Sequence, residues 1–473
     1  MKRLITGIRN HKGDLIVGFL KTLTYLGLFL IFYAFMRINN WPLRHPSRTL
    51  ATTALTWSAM TGAMHGVYGG YAIGRKKSKP IISNMTLGVL CVDAVTYLQL
   101  QIMNVNDNNR ERLELFGPDF MWLILAFLVQ FLFLIAIVRY GNHRFFSIYP
   151  PKKCLLILGD MEDRAVIEDK LNHYRLQWHV EDVALWYYED IARRIEDAET
   201  VFIAGAPEGA SEHLLKICYD LHRDVLCKAS LQDILIASAE QVIVDDAPFL
   251  EMDYHKMTLF QRIVKRLMDI GISLVMLVLL SPIMLLSAVL ILLEDGRPVI
   301  FRQERMTVGG RKFVIRKFRT MKVEASMQAH QVSAEKDDNR ITRVGRILRR
   351  FRIDEFPQLY NILIGDMTLV GPRPEMLENV EKYKHQLPTF VYREKVKAGL
   401  TGYAQIEGKY NTTPEDKLML DLMYIENFSI QSDIKLLFRT LVVMFKKDST
   451  EGFSRPVQRE TRPGTKKKKH RRR

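Results

Sequence analysis

Asp354 and Glu355 are adjacent carboxylates set among Arg343, Arg346, Arg349, Arg350 and Arg352, and a rigid Pro372-Arg373-Pro374 follows. One carboxylate of such a pair can attack while its neighbour holds a divalent cation, and arginines neutralise phosphates. Neighbouring residues on a helix point about 100° apart. The two side chains therefore cannot do the same job on one atom, and a division between nucleophile and metal ligand is natural. An aspartate among arginines is expected to stay ionised at neutral pH, as a nucleophile must. A lone Asp-Glu pair usually marks only a solvated helix end. Here acidic residues end a basic helix and Pro357 forces a turn, which an ordinary basic amphipathic helix lying on a membrane does not explain.

The elements that must position this pair can be read around it. Thr342 can cap a helix starting near Arg343, with Val344, Ile347, Leu348 and Phe351 along one face. Upstream lie Phe301-Arg302-Gln303-Glu304-Arg305, the pair Gly309-Gly310, Phe313 and Lys317-Phe318-Arg319-Thr320-Met321. A glycine pair with basic neighbours suits a turn beside phosphates. The polar stretch from Glu324 to Asn339 has little periodicity and reads as a mobile loop.

The chain has 473 residues and a formal charge of +16, too long for one core and basic enough to favour anionic partners. Four apolar runs, about 15–36, 50–73, 81–104 and 118–138, each approach the roughly twenty residues of a spanning helix. Basic residues concentrate in the amino-terminal flank (Lys2, Arg3, Arg9, Lys12), the second loop (Arg75, Lys76, Lys77, Lys79) and the exit (Arg139, Arg144, Lys152, Lys153). The other two loops hold Arg37, Arg44 and Arg48, then Arg110 and Arg112. By the positive-inside rule both ends of this bundle are cytoplasmic. No cleavage signal follows the first run, which is expected to stay as an anchor. Gly62, Gly66 and Gly70 offer a smooth face for close helix packing. His65 and Asp93, ionisable at membrane depth, are expected to hydrogen-bond to one another or to neighbouring helices. The four cysteines (Cys91, Cys154, Cys218, Cys227) form no Cys-x-x-Cys pair, which suits a reduced, cytosol-facing location without a zinc site.

A fifth apolar run, 267–293, carries Ser281-Pro282 at its middle and basic residues on both sides: Lys256, Arg262, Lys265 and Arg266 before, Arg297, Arg302 and Arg305 after. A straight span would strand one basic cluster on the outer face. A helix that enters, bends at the proline and returns satisfies both flanks. Between the membrane parts, short apolar runs at Cys154–Leu158, Thr200–Ala204, Asp224–Leu226 and Gln241–Val244 alternate with helix-like stretches at Arg164–Tyr174, Tyr187–Glu196, Ser211–His222 and Leu231–Ala239. This alternation predicts a small doubly wound α/β unit. Neither Gly159 nor Gly205-Ala-Pro-Glu-Gly209 makes a dinucleotide fingerprint, so a structural or regulatory module is expected.

The fold class read from the sequence is therefore a mixed membrane protein. It comprises a four-helix transmembrane bundle (1–145), a Rossmann-like α/β domain (150–250), a re-entrant helix with an α-rich catalytic domain (258–448) and a disordered polybasic tail (449–473). The tail, without an aromatic platform or a nucleic-acid motif, reads as attracted to anionic lipid, and no nucleic-acid partner is expected.

Several elements, in order, resemble the bacterial sugar transferases, the monotopic polyprenyl-phosphate hexose-1-phosphate transferases. They are Lys317-Phe-Arg-Thr-Met321, Thr342-Arg-Val-Gly-Arg346, Leu348-Arg-Arg350, Asp354-Glu355-x-Pro357-Gln358-Leu359, Gly365-Asp-Met-x-Leu-Val-Gly-Pro-Arg-Pro-Glu375, Val396-Lys397, Gly402-Tyr-Ala-Gln405 and Asp421-x-x-Tyr424-Ile-Glu-Asn427. Lys265-Arg266, Asp269 and Ser281-Pro282 match the family's re-entrant membrane helix. The segments upstream look like those of its long members, similar to undecaprenyl-phosphate galactose or glucose phosphotransferases. Two positions depart: Thr307 stands where the family usually has glycine, and Ala398 where it usually has proline.

The resemblance implies that Asp354 attacks the β-phosphate of a UDP-sugar and expels UMP. The phosphosugar then passes to undecaprenyl phosphate. It implies Glu355 as a magnesium ligand and Lys317, Arg349 and Arg373, with Arg319 a weaker candidate, as phosphate contacts. It places the chain in the bacterial inner (cytoplasmic) membrane as a multi-pass protein, its catalytic domain on the cytoplasmic face. The reaction would be the first membrane step of O-antigen, capsule or exopolysaccharide (lipopolysaccharide-type) synthesis. A homodimer and contacts with later glycosyltransferases are further expectations. An assembly platform for those enzymes, or a transporter built on the four spans, are alternatives that leave the intact Asp354-Glu355 and Arg373 unexplained.

Overall fold

The computed structural model describes residues 2–70, 72–74, 77–107, 113, 115–252, 257–322, 339–408 and 412–444, without the side chains of 2–14, 106–107 and 442–444. Of the loop expected from Glu324 to Asn339, all but Asn339 lies outside the described residues, as do the basic tail and Arg75, Lys76, Arg110, Arg112 and Lys256 of the basic flanks. Two compact units form, Met1–Asp233 and Ile234–Arg473.

The first unit begins with helices α1 (Lys2–Met36), α2 (Arg48–Tyr68), α3 (Ser78–Asp107) and α4 (Pro118–Ile148). Ser47 caps α2 and Gly69, in the left-handed region, ends it. By length and composition Leu15–Met36, Ser78–Val105 and Pro118–Ile148 can cross a membrane. α2, rich in threonine, is not among these, so that criterion supports three of the four expected spans here. Helix α2 packs on α3, and α4 on α1 and α3. His65 and Asp93 are held by neighbouring helices. Tyr25 Oη lies 2.8 Å from His65 Nδ1, and Asp93 Oδ1 accepts from Trp57 Nε1 at 3.3 Å and Gln130 Nε2 at 3.5 Å. The glycine face is not used as expected: a Cβ on Gly62 or Gly66 would meet nothing within 4 Å, and Gly70 lies past the helix end, against His65.

Then comes a parallel sheet in the order β2-β1-β3-β4, built from β1 (Lys152–Leu158), β2 (Trp178–Leu185), β3 (Thr200–Ala204) and β4 (Asp224–Cys227). Alternate residues of β1 feed two cores. Leu155 and Ile157 join Ile191, Ile195, Leu214 and Cys218 on one face, while Leu156 and Leu158 join Ile167 and Leu171 on the other. Gly159 is required where β1 meets the turn after β3, because a Cβ there would sit 1.8 Å from the Gly205 carbonyl oxygen. β2 is the strand the sequence hid: His179, Glu181 and Asp182 break its apolar pattern at the sheet edge. The expected last strand, Gln241–Val244, forms as Glu240–Val244 but pairs antiparallel with Ala247–Glu251 as a separate hairpin in the second unit.

The second unit is organised by one long helix, Leu259–Asp295, which opens with a Thr258/Gln261 capping box and carries Pro282 inside. It is apolar enough to cross a membrane. Both its ends are bound by the same unit. Near the start, Lys265 donates to the Val370 carbonyl at 3.1 Å and pairs with Asp433. Arg266 donates to the carbonyls of Ile362 and Leu363 at 2.7 Å, and Asp269 accepts from Thr368 Oγ1 at 2.7 Å and Leu369 N at 3.0 Å. At the far end, Glu294 accepts the backbone N–H groups of Arg343 at 2.7 Å and Val344 at 2.9 Å. The Ser281 hydroxyl bonds back to the Val278 carbonyl at 2.7 Å, next to the proline.

Candidate active site

An antiparallel ribbon, Ile300–Met306 with Lys312–Phe318, presents Lys317 at its end, and Gly309 and Gly310 take positive φ in its turn. The arginine helix, Arg343–Arg350, is capped by Thr342, whose Oγ1 accepts from Gly345 N at 2.9 Å. Gly345 is obligatory here, since a Cβ would come within 2.2 Å of the Thr320 carbonyl oxygen. Val344 and Leu348 face Ile291 and Phe318, whereas Ile347 and Phe351 of the same apolar stripe are exposed. Arg352 then adopts φ +54, and this left-handed residue swings the chain into the short turn Ile353–Glu355. A non-glycine residue in that region costs of order 1 kcal/mol. The strain sits directly before the two carboxylates.

Glu355 is the fixed member of the pair. Its Oε1 accepts from Lys317 Nζ at 3.0 Å and Arg373 Nη2 at 3.1 Å, and Arg352 Nη1 stands 3.8 Å from Oε2. Burial alone would raise its pKa, yet Lys317, Arg373 and Arg352 hold it well below the usual carboxylate range. Asp354 is different: among the described residues its carboxylate takes part in no hydrogen bond or ion pair. Burial, helped by the Glu355 charge, pushes its carboxyl up to about 6, while Lys317, Arg349 and Arg352 pull the other way without cancelling the rise. The aspartate expected to stay ionised at neutral pH does so, but with a raised pKa. Loss of hydration outweighs the guanidinium groups, although the group is still mostly ionised at pH 7. An unbonded, poorly solvated anion in a cationic field can attack a phosphorus centre.

The structure brings Lys317, Arg349 and Arg373 to this pair. Arg349 also donates from Nε to Thr320 Oγ1 at 2.8 Å. Arg319 is elsewhere: its side chain is 2 % exposed and bonds Asp295 Oδ2 at 2.6 Å and the carbonyls of Asp295 and Gly296 at 3.0 and 2.7 Å. Arg319 lies just past the end of the strand at Phe318, so the alternation that would put it on the same face as Lys317 no longer applies. Lys265, Arg266, Asp269, Ser281 and Pro282 belong to the long helix and do not touch the carboxylate pair.

Residues not singled out from the sequence complete the surroundings. Arg393 donates to the Arg373 carbonyl oxygen at 2.8 Å and pairs with buried Asp421 at 2.7 Å, fixing the Pro-Arg-Pro loop from below. Lys417 pairs with Glu375, and burial pushes its ammonium down to about 8. Arg305 lies beside Arg373. Arg393 and Lys417 carried no local signal, since their partners are distant in sequence. Among the described residues no group of three His, Cys, Asp or Glu can hold a metal ion. Magnesium keeps one or two carboxylates and completes its shell with water and substrate phosphates. The Asp354–Glu355 pair therefore fits that ion only in company with a phosphate-bearing ligand.

The profile described as "Bacterial sugar transferase" matches residues 260–447. The UDP-N-acetylgalactosamine-undecaprenyl-phosphate N-acetylgalactosaminephosphotransferase of Aeromonas hydrophila is 42% identical over 181 residues, 38% of this chain and 43% of that protein. A UDP-glucose:undecaprenyl-phosphate glucose-1-phosphate transferase of Caulobacter vibrioides is 39% identical over 190 residues, 39% of this chain and 71% of that one. An undecaprenyl-phosphate glucose phosphotransferase of Komagataeibacter xylinus is 32% identical over 273 residues, 54% of this chain and 50% of that protein. The match thus spans less than half of the Aeromonas relative and most of the shorter Caulobacter one.

Proposed function

Because the chain belongs to the bacterial sugar transferase family, we propose that it transfers a sugar 1-phosphate from a UDP-sugar to undecaprenyl phosphate, giving undecaprenyl-diphosphate sugar and UMP. The observation that carries this reading is the division within one acidic pair: Glu355 is held by Lys317 and Arg373, while the Asp354 carboxylate takes no hydrogen bond or ion pair among the described residues. An Asp354 oxygen attacks the β-phosphorus, the bond from that phosphorus to the α–β bridging oxygen breaks, and UMP leaves with the bridging oxygen. An oxygen of undecaprenyl phosphate then attacks the same phosphorus and returns Asp354 as a free carboxylate, so neither step needs a proton donor. Lys317, Arg349 and Arg373 balance charge on the transferring phosphoryl group. Glu355 would hold magnesium, which would add charge neutralisation.

The long helix supports a re-entrant reading. At 37 residues it would extend about 55 Å if straight, yet both ends hold the same unit, and Ser281-Pro282 supplies the bend. The acceptor phosphate then meets Asp354 at the headgroup plane on the cytoplasmic face of the inner membrane. The parallel sheet with cores on both faces is read as a small doubly wound module for contacts with a second copy or with later glycosyltransferases of O-antigen, capsule or exopolysaccharide synthesis. Relatives named for glucose and N-acetylgalactosamine make those donors, beside galactose, the first to try.

The test is UMP release by the full chain in native lipid particles, with undecaprenyl phosphate, magnesium and a UDP-sugar panel. Lipid-dependent release from one donor, lost in Asp354→Asn, is expected. No release from any donor would overturn the reading.

A further inference from the structure

Arg305 is the penultimate residue of the first strand of the Lys317 ribbon and bridges to Met376 in the segment that follows Pro374. Its Nη2 donates to Gln303 Oε1 at 2.6 Å and its Nη1 reaches the Pro374 carbonyl at a long 3.4 Å, while its Nε is buried with no hydrogen-bond partner. It forms no ion pair among the described residues. Burial and the charge of nearby Arg373 disfavour its protonated form, opposed by Glu378 and Glu355. The carboxylate that the neighbouring cations bond at the centre is Glu355, already shared by Lys317 and Arg373. A largely buried guanidinium next to another guanidinium, with no carboxylate of its own, is unfavourable unless an anion arrives to bridge the two.

We propose that Arg305 is a second guanidinium for the donor's diphosphate, binding it jointly with Arg373 on the side of the site away from Arg349. The inference rests on the donor reading above and deepens it by naming a contact that the acidic-pair motif does not reach. Arg305 then contributes chiefly to capture of the diphosphate, and the two guanidiniums lose their mutual repulsion when it binds.

The test is equilibrium binding of UDP to the full chain in native lipid particles, with magnesium, for the wild type, Arg305→Lys and Arg305→Met, beside thermal unfolding of each. The expected result is at least a tenfold loss of UDP affinity in Arg305→Met, partial recovery in Arg305→Lys, and an unfolding temperature in Arg305→Met that is unchanged or higher. Wild-type affinity in Arg305→Met, or a lowered unfolding temperature with affinity intact, makes Arg305 a prop for Pro374 and overturns the inference alone. Failure of the wild type to bind UDP overturns the donor reading, and this inference with it.

Discussion

The Thr307 hydroxyl accepts the backbone N–H of Ala398 at 3.1 Å and donates to the Asp366 carbonyl at 3.0 Å. These are the two positions at which the chain departs from the usual pattern of its family, and they touch. Proline at 398 would have no N–H to give, and glycine at 307 no hydroxyl to receive it. The departures therefore form one unit, a buried tie between the ribbon turn and the strand pair below Arg373. Thr307→Gly should cost about 1–2 kcal/mol, the worth of the buried bonds it leaves unmade. Ala398→Pro should be costly in the wild-type background and much milder when combined with Thr307→Gly. Unfolding of the four species gives the coupling directly, and strict additivity would deny the tie.

Asp354→Asn should abolish UMP release and yet stabilise the fold at pH 7. The folded carboxyl lies at about 6 against an ordinary 3.8. Its protonated form is therefore favoured by folding, and the stability it contributes below pH 4 is lost as pH rises through 6. Asparagine keeps the neutral state at every pH, a gain on the order of 1–3 kcal/mol at neutrality. Differential scanning fluorimetry at pH 5 and pH 7.5 checks this: the gain should be larger at the higher pH.

Turnover should follow the same ionisation. If only the ionised Asp354 attacks, as proposed, the single-turnover rate of UMP release should climb about fivefold between pH 5 and 6 and level off above about 7. A flat profile would remove Asp354 as the titrating nucleophile.

Arg319 gives the opposite signature. Its guanidinium holds Asp295 and two carbonyls at the end of the long helix, so Arg319→Met should lower stability by roughly 2–3 kcal/mol through the loss of donors to the part-buried carboxylate and the two carbonyls. The KM for UDP-sugar in the surviving folded protein should stay near wild type. A raised KM without lost stability would restore Arg319 to the substrate.

Chelation should separate catalysis from folding. If Glu355 holds magnesium only together with a phosphate ligand, as proposed, EDTA should stop UMP release without moving the unfolding temperature of the ligand-free protein. A donor-free shift would imply a resident metal.

The acidic pair and the Thr342 cap were legible because each is fixed by short-range chemistry, a cap or a charge run broken by proline, whereas Lys317, Arg349 and Arg373 were named only through the family resemblance, since they approach the pair from other elements. Arg319 was not, since its direction depends on Asp295 beyond the ribbon. That burial raises the Asp354 pKa could not be read from the sequence, because neighbouring charges are visible there and lost hydration is not. Edge strand β2, with its charged residues, and the misassigned hairpin strand Glu240–Val244 show the same limit: pairing partners, more than local pattern, decide what a short apolar run becomes.

Arg352 stands at φ +54, a conformation glycine would adopt with ease, and its guanidinium faces Glu355. Backbone and side chain at this one position ask for different amino acids. Selection for thermal endurance alone would drift it toward glycine, whereas selection for turnover would hold arginine in place. In a deep mutational screen scored once for abundance and once for polysaccharide output, residue 352 should rank among those whose two scores diverge most.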